Sequence, residues 1–205
     1  MNWSRRVGLF GGAFDPPHRA HLLVAQHALR ECHLSRVLLI PNGMPPQKGG
    51  THCGKEDRFR MTQVLVRGRR GLSASRIEID REGPSYTIDT IRAIEDDCPE
   101  GLCFILGADQ LLGIESWRES RTLMRSVPFV VAPRPGVEIA KFRRPPFDEL
   151  KLHVLDMVPV DLSSSWVRER MGNGGEIEPW VPRGVARYVR EHELYRALGE
   201  GNRTD

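Results

Sequence analysis

Short apolar runs alternate with longer amphipathic stretches along most of the chain. The apolar runs have the length of buried β-strands and lie at 7–10, 37–40, 77–79, 102–106, 129–132 and 152–157. Amphipathic stretches with apolar positions at helical spacing lie between them, at 20–32, 57–66 and 87–94. Continuous apolar strands separated by helices are typical of a mainly parallel sheet with helices on both faces. The pattern therefore predicts an α/β fold of about six strands, whose ligands bind beyond the carboxyl ends of the strands.

The last part of the chain has a different pattern. Residues 163–198 are predicted to form a small helical C-terminal part, with helices at 166–171 and 182–191. The stretch 133–146 is rich in Pro, Gly and Arg and is predicted to be a flexible excursion. Because the chain has 205 residues and no internal repeat, we expect a single domain spanning 1–205.

Composition narrows the class of protein without naming a function. Hydrophobic residues make up 40% of the chain, charged residues 28%, and the net charge is +3. Basic residues are scattered apart from short clusters at 67–70 and 143–144, so no nucleic-acid partner is expected. No cleavable signal and no apolar run of about 18 residues is present, so we expect a cytoplasmic protein without a membrane partner. The chain is too large to need disulfide stapling, and we expect its four cysteines to be reduced and without a catalytic role: Cys32, Cys53, Cys98 and Cys103.

The first strand leads into a glycine turn and a helix start at 7–21, V-G-L-F-G-G-A-F-D-P-P-H-R-A-H. Gly11 and Gly12 lack the Cβ atoms that would keep a phosphate away from the backbone. The helix that begins near His18 directs free N–H groups and its positive dipole end towards the same place. His18 and His21 are three residues apart and share one helix face. The segment therefore predicts a phosphate site with two imidazoles above it.

Other interpretations of this segment are weaker. It lacks the G-x-G-x-x-G spacing of dinucleotide-binding folds and the Gly-Lys-Ser/Thr ending of a P-loop. A zinc site would need two further ligands, and neither Cys32-His33 nor His52-Cys53 has the C-x-x-C spacing of a strong zinc motif. Two histidines that only close a strand-to-helix turn remain the structural alternative for this segment taken alone.

The segment resembles the signature G-G-x-F-D-P-x-H-x-G-H of the nucleotidyltransferase superfamily related to class I aminoacyl-tRNA synthetases. This resemblance implies a Rossmann-like domain that joins a nucleoside triphosphate to a phosphorylated acceptor. Ala20 stands where the family usually has glycine. Since alanine is the smallest replacement and a good helix former, we expect the loop to be retained.

A second motif follows at 162–168, L-S-S-S-W-V-R. Hydroxyls at a helix start can bind phosphate oxygens, and Arg168 adds a permanent charge. Alone, the serines would be an ordinary helix N-cap. The motif resembles I-S-S-T-x-x-R of the same superfamily, with Leu162 for isoleucine and Ser165 for threonine.

Three further segments resemble bacterial nicotinate-nucleotide adenylyltransferases. The segment 40–48 resembles I-P-x-x-x-P-P-H-K, in which the lysine, here Lys48, reaches the triphosphate, and Gln47 replaces the histidine. The segment 84–90 resembles S-Y-T-x-D-T, where helix N–H groups and the Thr87 hydroxyl receive the pyridine carboxylate. Gly107-Ala108-Asp109 with Trp117 resembles the family's G-x-D and tryptophan, near a ribose hydroxyl and the nicotinate ring. On local sequence alone Asp109 could equally be a cap and Trp117 a core residue.

The resemblance extends through 180–195 and so covers roughly residues 6 to 196. It implies transfer of AMP from ATP to nicotinate mononucleotide by direct in-line attack, with Mg²⁺ carried by ATP and no protein metal site. It implies catalytic roles for His18, His21, Lys48 and Arg168. It implies ATP contacts from Gly11, Gly12, Ala13, Phe14, His18, His21, Lys48, Gly107, Asp109, Ser163, Ser164, Ser165 and Arg168. It implies acceptor contacts from Phe14, Asp15, Ser85, Tyr86, Thr87, Asp109 and Trp117.

Two alternatives stay open at this point. The acceptor could be nicotinamide mononucleotide or phosphopantetheine, or the chain could be a nucleotide sensor that binds without turnover. The sequence does not decide whether the chain forms a homo-oligomer.

Overall fold

A computed structural model describes residues 3–46 and 50–195. Its strands are β1 Val7–Gly12, β2 Arg36–Pro41, β3 Leu72–Ala74, β4 Leu102–Gly107, β5 Phe129–Ala132 and β6 Leu152–Val154. Its α-helices are α1 Arg19–Glu31, α2 Lys55–Val66, α3 Ile77–Asp80, α4 Thr87–Ile94, α5 Ala108–Leu112, α6 Ser120–Ser126, α7 Ser164–Gly172 and α8 Arg183–Glu191.

The strands form one six-stranded sheet in the order β3-β2-β1-β4-β5-β6. Every pairing within it is parallel, as the continuous apolar runs predict. The chain moves outward from β1 to β3 and then returns to place β4 on the other side of β1. Parallel sheets open a crevice at the carboxyl ends of the strands where the order reverses in this way. The fold therefore places a binding crevice beyond the ends of β1 and β4.

Helices cover both faces of the sheet, and the strand side chains alternate between two cores. In β4, Cys103 and Ile105 point to the face covered by α1, α2, α7 and α8. Leu102, Phe104 and Leu106 point to the face covered by α4, α5 and α6. This alternation is what period-2 side-chain geometry requires of a strand buried on both sides. The predicted Rossmann-like α/β fold with helices on both faces is confirmed.

The C-terminal helices α7 and α8 pack into the core on one face of the sheet. Val167 of α7 and Val185, Ala186 and Val189 of α8 are buried in the cluster that α1 and α2 form on the sheet. The predicted helical part at 163–198 thus contains α7 and α8, while residues 196–198 lie outside the described residues. None of the described helices is long and apolar enough to cross a membrane.

One predicted strand is wrong. The stretch 77–79 is part of helix α3, and the third strand is instead Leu72–Ala74. A single helical turn and a short strand have the same apolar pattern over three residues, so the sequence cannot separate them. The turn is held by contacts distant in sequence, because Glu78 is 4% exposed and its two carboxylate oxygens accept hydrogen bonds from Asn42 and Thr90.

Two other stretches differ in extent. The predicted strand at 152–157 is shortened to Leu152–Val154. The predicted excursion at 133–146 contains a 3₁₀ turn, Ile139–Arg143. Buried Phe142 of this turn meets the Phe147 ring edge-on at 5.4 Å. The excursion is therefore anchored by aromatic packing that its Pro, Gly and Arg content does not indicate.

Candidate active site

The loop between β1 and α1 lies at the carboxyl edge of the sheet, beside the crevice. Phe14 adopts a left-handed backbone conformation with φ 50°, which turns the chain sharply away from the strand. Its buried ring packs edge-on against Phe10 at 5.7 Å and against His21 at 4.8 Å. His18 occupies the N-cap of α1 with an extended backbone. The glycine turn and the two histidines are thus fixed by aromatic packing.

The two histidine rings are stacked, with centroids 3.7 Å apart and planes inclined by 23°. Nδ1 of His21 accepts a hydrogen bond from the backbone N–H of His18 at 3.2 Å. In the neutral ring this leaves the proton on Nε2, which is free to donate. Nδ1 of His18 is buried and has no hydrogen-bond partner among the described residues. A buried polar atom without a partner is costly, so a water molecule or a bound group is expected to satisfy it.

Both histidines are neutral at physiological pH. Burial lowers the pKa of His18 to about 3, and the charge of Arg134 acts in the same direction. The pKa of His21 is also well below its usual value, because of burial, His18 and Arg134. A bound polyanion would oppose these effects and favour the protonated rings.

A cavity of about 200 Å³ opens above the histidines. Its lining brings together most of the residues predicted to contact ATP, namely Gly11, Gly12, Ala13, Phe14, His18, His21, Gly107, Asp109, Ser163 and Ser164. We call this the nucleotide cavity. Ser163 caps α7 by accepting a hydrogen bond from the backbone N–H of Trp166 at 3.1 Å. Ser164 donates to the carbonyl oxygen of Pro16 at 2.8 Å. This bond joins α7 to the loop between β1 and α1, residues 13–18, which we call the signature loop.

Arg134 lines the same cavity and was missed by the sequence analysis. Its guanidinium donates to the carbonyl oxygens of Val160 and Leu162 and lies 3.5 Å from the carboxylate of Asp109. It therefore holds the chain just before the serine cap while placing a positive charge beside the histidines. Its position two residues after the end of β5, at the ligand-binding edge of a parallel sheet, is the signal that could have indicated it.

Ser165 and Arg168 lie outside the lining of the nucleotide cavity. Arg168 donates one hydrogen bond to the carbonyl oxygen of Asp15 at 2.5 Å and another to the Ser165 hydroxyl at 3.1 Å. The arginine thus braces the signature loop from behind. A contact between Arg168 and the triphosphate stays a prediction.

The carboxylate of Asp15 differs from its predicted acceptor role, because it is 2% exposed and belongs to neither cavity lining. It accepts hydrogen bonds from the His52 N–H at 2.6 Å, the Tyr195 hydroxyl at 2.7 Å and the Cys53 thiol at 3.1 Å. Burial alone would raise the pKa of Asp15, but these hydrogen bonds and the charge of Arg168 hold it below its usual value. Asp15 therefore joins three separate parts of the chain as a buried anion.

A second, larger cavity of about 450 Å³ lies on the other side of the β1 end. We call it the acceptor cavity, because it is lined by four residues for which acceptor contacts are predicted, namely Ser85, Tyr86, Thr87 and Trp117. Tyr86 is the N-cap of α4 and Thr87 its first residue, and Trp117 packs edge-on against Phe104 at 6.0 Å. The two cavities share four lining residues: Gly11, Gly12, Ala13 and Gln110.

Hydrogen bonds shape the floor of the acceptor cavity. The Ser85 hydroxyl accepts from the backbone N–H groups of Gly43 at 2.9 Å and Met44 at 3.3 Å. Glu78 accepts from the Asn42 amide at 2.9 Å and the Thr90 hydroxyl at 2.6 Å. Glu78, Asn42, Gln110 and Arg118 line this cavity but were not predicted. Glu78 was missed because 77–79 was interpreted as a strand, and the other three stand at no motif position that indicates a binding role.

Arg58 joins the loops that follow β1 and β2. It is fully buried and donates to the carbonyl oxygens of Ala13 at 2.8 Å and Gly43 at 3.3 Å. These carbonyl groups belong to the neighbouring loops after β1 and β2, so one buried side chain ties the two loops together. The sequence carries no signal for this, because an arginine within an amphipathic helix is usually exposed.

Several residues with predicted substrate contacts do not line the cavity expected for them or lie outside the described residues. Asp109 and Phe14, predicted to contact both substrates, line only the nucleotide cavity. Lys48 and Gln47 lie outside the described residues. Among the residues that the structure describes, no group of three or more His, Cys, Asp or Glu side chains could hold a metal ion.

Comparison with known proteins identifies the family. Residues 9–170 match the cytidylyltransferase-like family model. A probable nicotinate-nucleotide adenylyltransferase from Bordetella avium is 38% identical over 198 residues, which cover 94% of this chain and 98% of the relative. A relative of the same name from Thermus thermophilus is 39% identical over 194 residues, covering 93% of this chain and all of the relative.

Solved structures agree in fold. The nicotinic acid mononucleotide adenylyltransferase of Plasmodium falciparum complexed with NaAD has a TM-score of 0.78 at 17% identity, covering 93% of this chain and 97% of that chain. A nicotinate-nucleotide adenylyltransferase structure from Vibrio parahaemolyticus has a TM-score of 0.68, also at 17% identity, covering 94% of this chain and 96% of that chain. The likeness in sequence runs through both cavities and nearly the full length of the relatives, and this chain therefore belongs to the nicotinate-nucleotide adenylyltransferase family.

Proposed function

We propose that this protein transfers the AMP moiety of ATP to nicotinate mononucleotide, giving nicotinate adenine dinucleotide and pyrophosphate. One observation supports this most directly. The nucleotide cavity and the acceptor cavity meet along Gly11, Gly12 and Ala13. Two phosphorylated substrates bound in them would have their phosphates side by side at the end of β1, without Cβ atoms of Gly11 and Gly12 between them. We also propose that the enzyme works in the cytoplasm, where ATP is available.

The reaction brings two polyanions together, so the barrier consists mainly of charge repulsion and alignment. An oxygen of the acceptor's 5′-phosphate attacks the α-phosphorus of ATP in line. A new P–O bond forms as the bond between the α-phosphorus and the bridging oxygen breaks, and pyrophosphate leaves. Catalysis of such a step is positioning and electrostatic stabilisation. No protein nucleophile is required, and burial keeps the nearby Cys53 thiol protonated by raising its pKa to about 12.

The histidine pair supplies hydrogen-bond donors to the reacting phosphate. Nε2 of His21 carries a proton, because Nδ1 accepts from the His18 backbone. His18 lines the same cavity, and the phosphate would draw a proton onto this ring by raising its pKa. We assign both rings to oxygens of the α- and β-phosphates, where negative charge increases as the bond to pyrophosphate breaks.

The remaining groups of the nucleotide cavity act on the triphosphate and its sugar. Ser163 lies at the N-terminus of α7, where free N–H groups and the helix dipole favour phosphate oxygens. Arg134 brings a permanent charge to the same cavity. Asp109 is available to a ribose hydroxyl at the cavity wall. Lys48 and Arg168 are assigned to the triphosphate tail on the resemblance alone.

Magnesium fits this site only as part of the substrate. Glu78 has both oxygens occupied by hydrogen bonds, and Asp109 is paired with Arg134. The described residues thus hold no set of carboxylates for a metal cage. We propose that Mg²⁺ arrives on the triphosphate and keeps its waters, as this ion usually does with nucleotides.

The acceptor cavity suits a pyridine ring with an anionic substituent. Trp117 offers an indole face, and the N-terminus of α4 at Tyr86 and Thr87 offers backbone N–H groups. A carboxylate at a helix N-terminus is favoured by the helix dipole. The helix N-terminus would stabilise the neutral amide of nicotinamide mononucleotide less.

A single assay tests the function. The purified protein is incubated with ATP, Mg²⁺ and each acceptor in turn: nicotinate mononucleotide, nicotinamide mononucleotide and phosphopantetheine. The adenylylated product and pyrophosphate are both quantified. We expect fastest turnover with nicotinate mononucleotide. Fastest turnover with another acceptor would reassign the substrate, and ATP binding without pyrophosphate release would make the protein a nucleotide sensor.

A further inference from the structure

The acceptor cavity contains one positive side chain, that of Arg118, among its described lining residues. The one carboxylate in that lining is Glu78, whose two oxygens are taken up by Asn42 and Thr90. The nearest carboxylate to Arg118 is Glu119, 4.0 Å from its guanidinium. Glu119 is itself paired with Arg92 through two hydrogen bonds, at 2.7 and 3.1 Å. Glu119, which is shared with Arg92, therefore compensates the positive charge of Arg118 only in part.

The guanidinium of Arg118 is also held in place. It lies over the ring of Tyr86, 4.6 Å from the centroid, as a cation and an aromatic face attract each other. Tyr86 is the N-cap of α4, so the charge lies beside the helix terminus that is proposed to receive the ring substituent of the acceptor. Trp117, the proposed stacking residue, directly precedes Arg118. Arg118, Tyr86 and Trp117 thus form one end of the cavity.

This end belongs to the acceptor cavity alone. The residues shared by the two cavities are Gly11, Gly12, Ala13 and Gln110, and the acceptor phosphate must lie near them to reach ATP. Tyr86, Trp117 and Arg118 line the acceptor cavity only. A mononucleotide that spans the cavity therefore turns its pyridine ring, not its phosphate, towards Arg118.

We propose that the Arg118 side chain is a specificity-determining residue that selects an anionic ring substituent on the acceptor over a neutral one. This inference rests on the proposed function and adds a side-chain charge to the helix terminus assigned there. The side chain of Arg118 is 53% exposed, so water and salt weaken its field before the acceptor covers it. Arg118 therefore contributes part of the preference for the acid.

The test compares kcat/KM for nicotinate and nicotinamide mononucleotide in the native protein, Arg118→Met, Arg118→Lys and Arg121→Met. Arg121 is an exposed arginine at the start of α6, outside the described lining of both cavities. Arg118→Met should lower kcat/KM for the acid about three- to tenfold. It should change the value for the amide less than about twofold. Arg118→Lys should recover part of the loss for the acid, because it retains the charge, and Arg121→Met should behave like the native protein.

Salt gives an independent readout. Raising ionic strength should reduce the ratio of acid to amide kcat/KM in the native protein, and reduce it less in Arg118→Met, because screening acts on the charge that the variant lacks. Equal losses for both acceptors in Arg118→Met, or no loss for either, would overturn the inference. A native protein that makes no dinucleotide from either acceptor would instead overturn the proposed function.

Discussion

The stacked histidine pair provides the most direct test of the chemistry. His18→Ala and His21→Ala should each lower kcat by about 10²–10³, the usual loss when one preorganised donor is removed from a developing charge. His192→Ala is the matched control, since this exposed histidine caps the far end of α8. Thermal unfolding of each variant shows whether the fold is retained. A folded variant at either position with near-native turnover would contradict the assignment.

The buried His18 also predicts how the free energy of unfolding depends on pH. Burial holds the pKa of His18 at about 3 against an ordinary 6.5, so between these values the unfolded chain binds a proton there that the native protein does not. Stability therefore rises with pH through this window and is lost on acidification, by up to about 1.4 kcal/mol per pH unit for one group. His18→Asn should show a shallower dependence than the native protein.

Urea unfolding at several pH values between 4.5 and 6.5 measures how the free energy of unfolding depends on pH. This range lies above the one in which Asp15 titrates. Asp15 acts in the same direction but in a lower pH range, since its lowered folded-state pKa gives stability that is lost only as the pH falls below its ordinary 3.8. Equal slopes for the native protein and His18→Asn would show that His18 is not the group responsible.

At the scale of secondary-structure elements, the approach of α3 to the loop after β2 determines the floor of the acceptor cavity. A Cβ atom on Gly43 would lie 1.9 Å from the carbonyl oxygen of Glu78, so Gly43→Ala must displace the loop or the helix. We expect a loss of about 1–3 kcal/mol in stability. We also expect a higher KM for the acceptor with a smaller change for ATP, because Ser85 and Asn42 are held by this contact. Gly54→Ala is the control, since its nearest atom, Oδ2 of Asp57, is 3.6 Å away.

Steady-state kinetics with each substrate varied separately would measure these effects. Equal changes in KM for both substrates would mean that Gly43 acts on the fold as a whole and not on the acceptor cavity.

The elements also show what the sequence could predict. The parallel sheet, the signature loop and the helix start at Thr87 follow from apolar runs, glycines and motifs, which are local along the chain. The brief turn of α3 could not be predicted, because three residues do not distinguish a helix from a strand. Glu78, Arg58 and Arg134 act through carbonyl groups and side chains distant in sequence, and these contacts exist only once the fold brings them together.

At the scale of the whole molecule, Asp15 joins the two ends of the fold. Its carboxylate accepts from Tyr195, near the end of the described chain, across 180 residues. Tyr195→Phe should lower the free energy of unfolding by about 1.5–3 kcal/mol, the usual contribution of a buried hydrogen bond to a charged group. Tyr188→Phe should lower it less, because the bond of Tyr188 to Asp57 is only partly buried.

Chemical denaturation of both variants would compare these losses. An equal or smaller loss in Tyr195→Phe would show that the Asp15 cluster is not a main source of stability. At saturating substrate, kcat of folded Tyr195→Phe should stay near the native value, because its hydroxyl contacts Asp15 and Cys53 and not a cavity.

The shared wall at Gly11, Gly12 and Ala13 has a kinetic consequence. If each substrate binds in its own cavity, as proposed, a dinucleotide product must occupy both. Nicotinate adenine dinucleotide should therefore inhibit competitively against ATP and also against nicotinate mononucleotide. Pyrophosphate overlaps only the triphosphate and should compete with ATP alone. An enzyme built this way slows as its own product accumulates, so its flux depends on how quickly the next enzyme removes the dinucleotide.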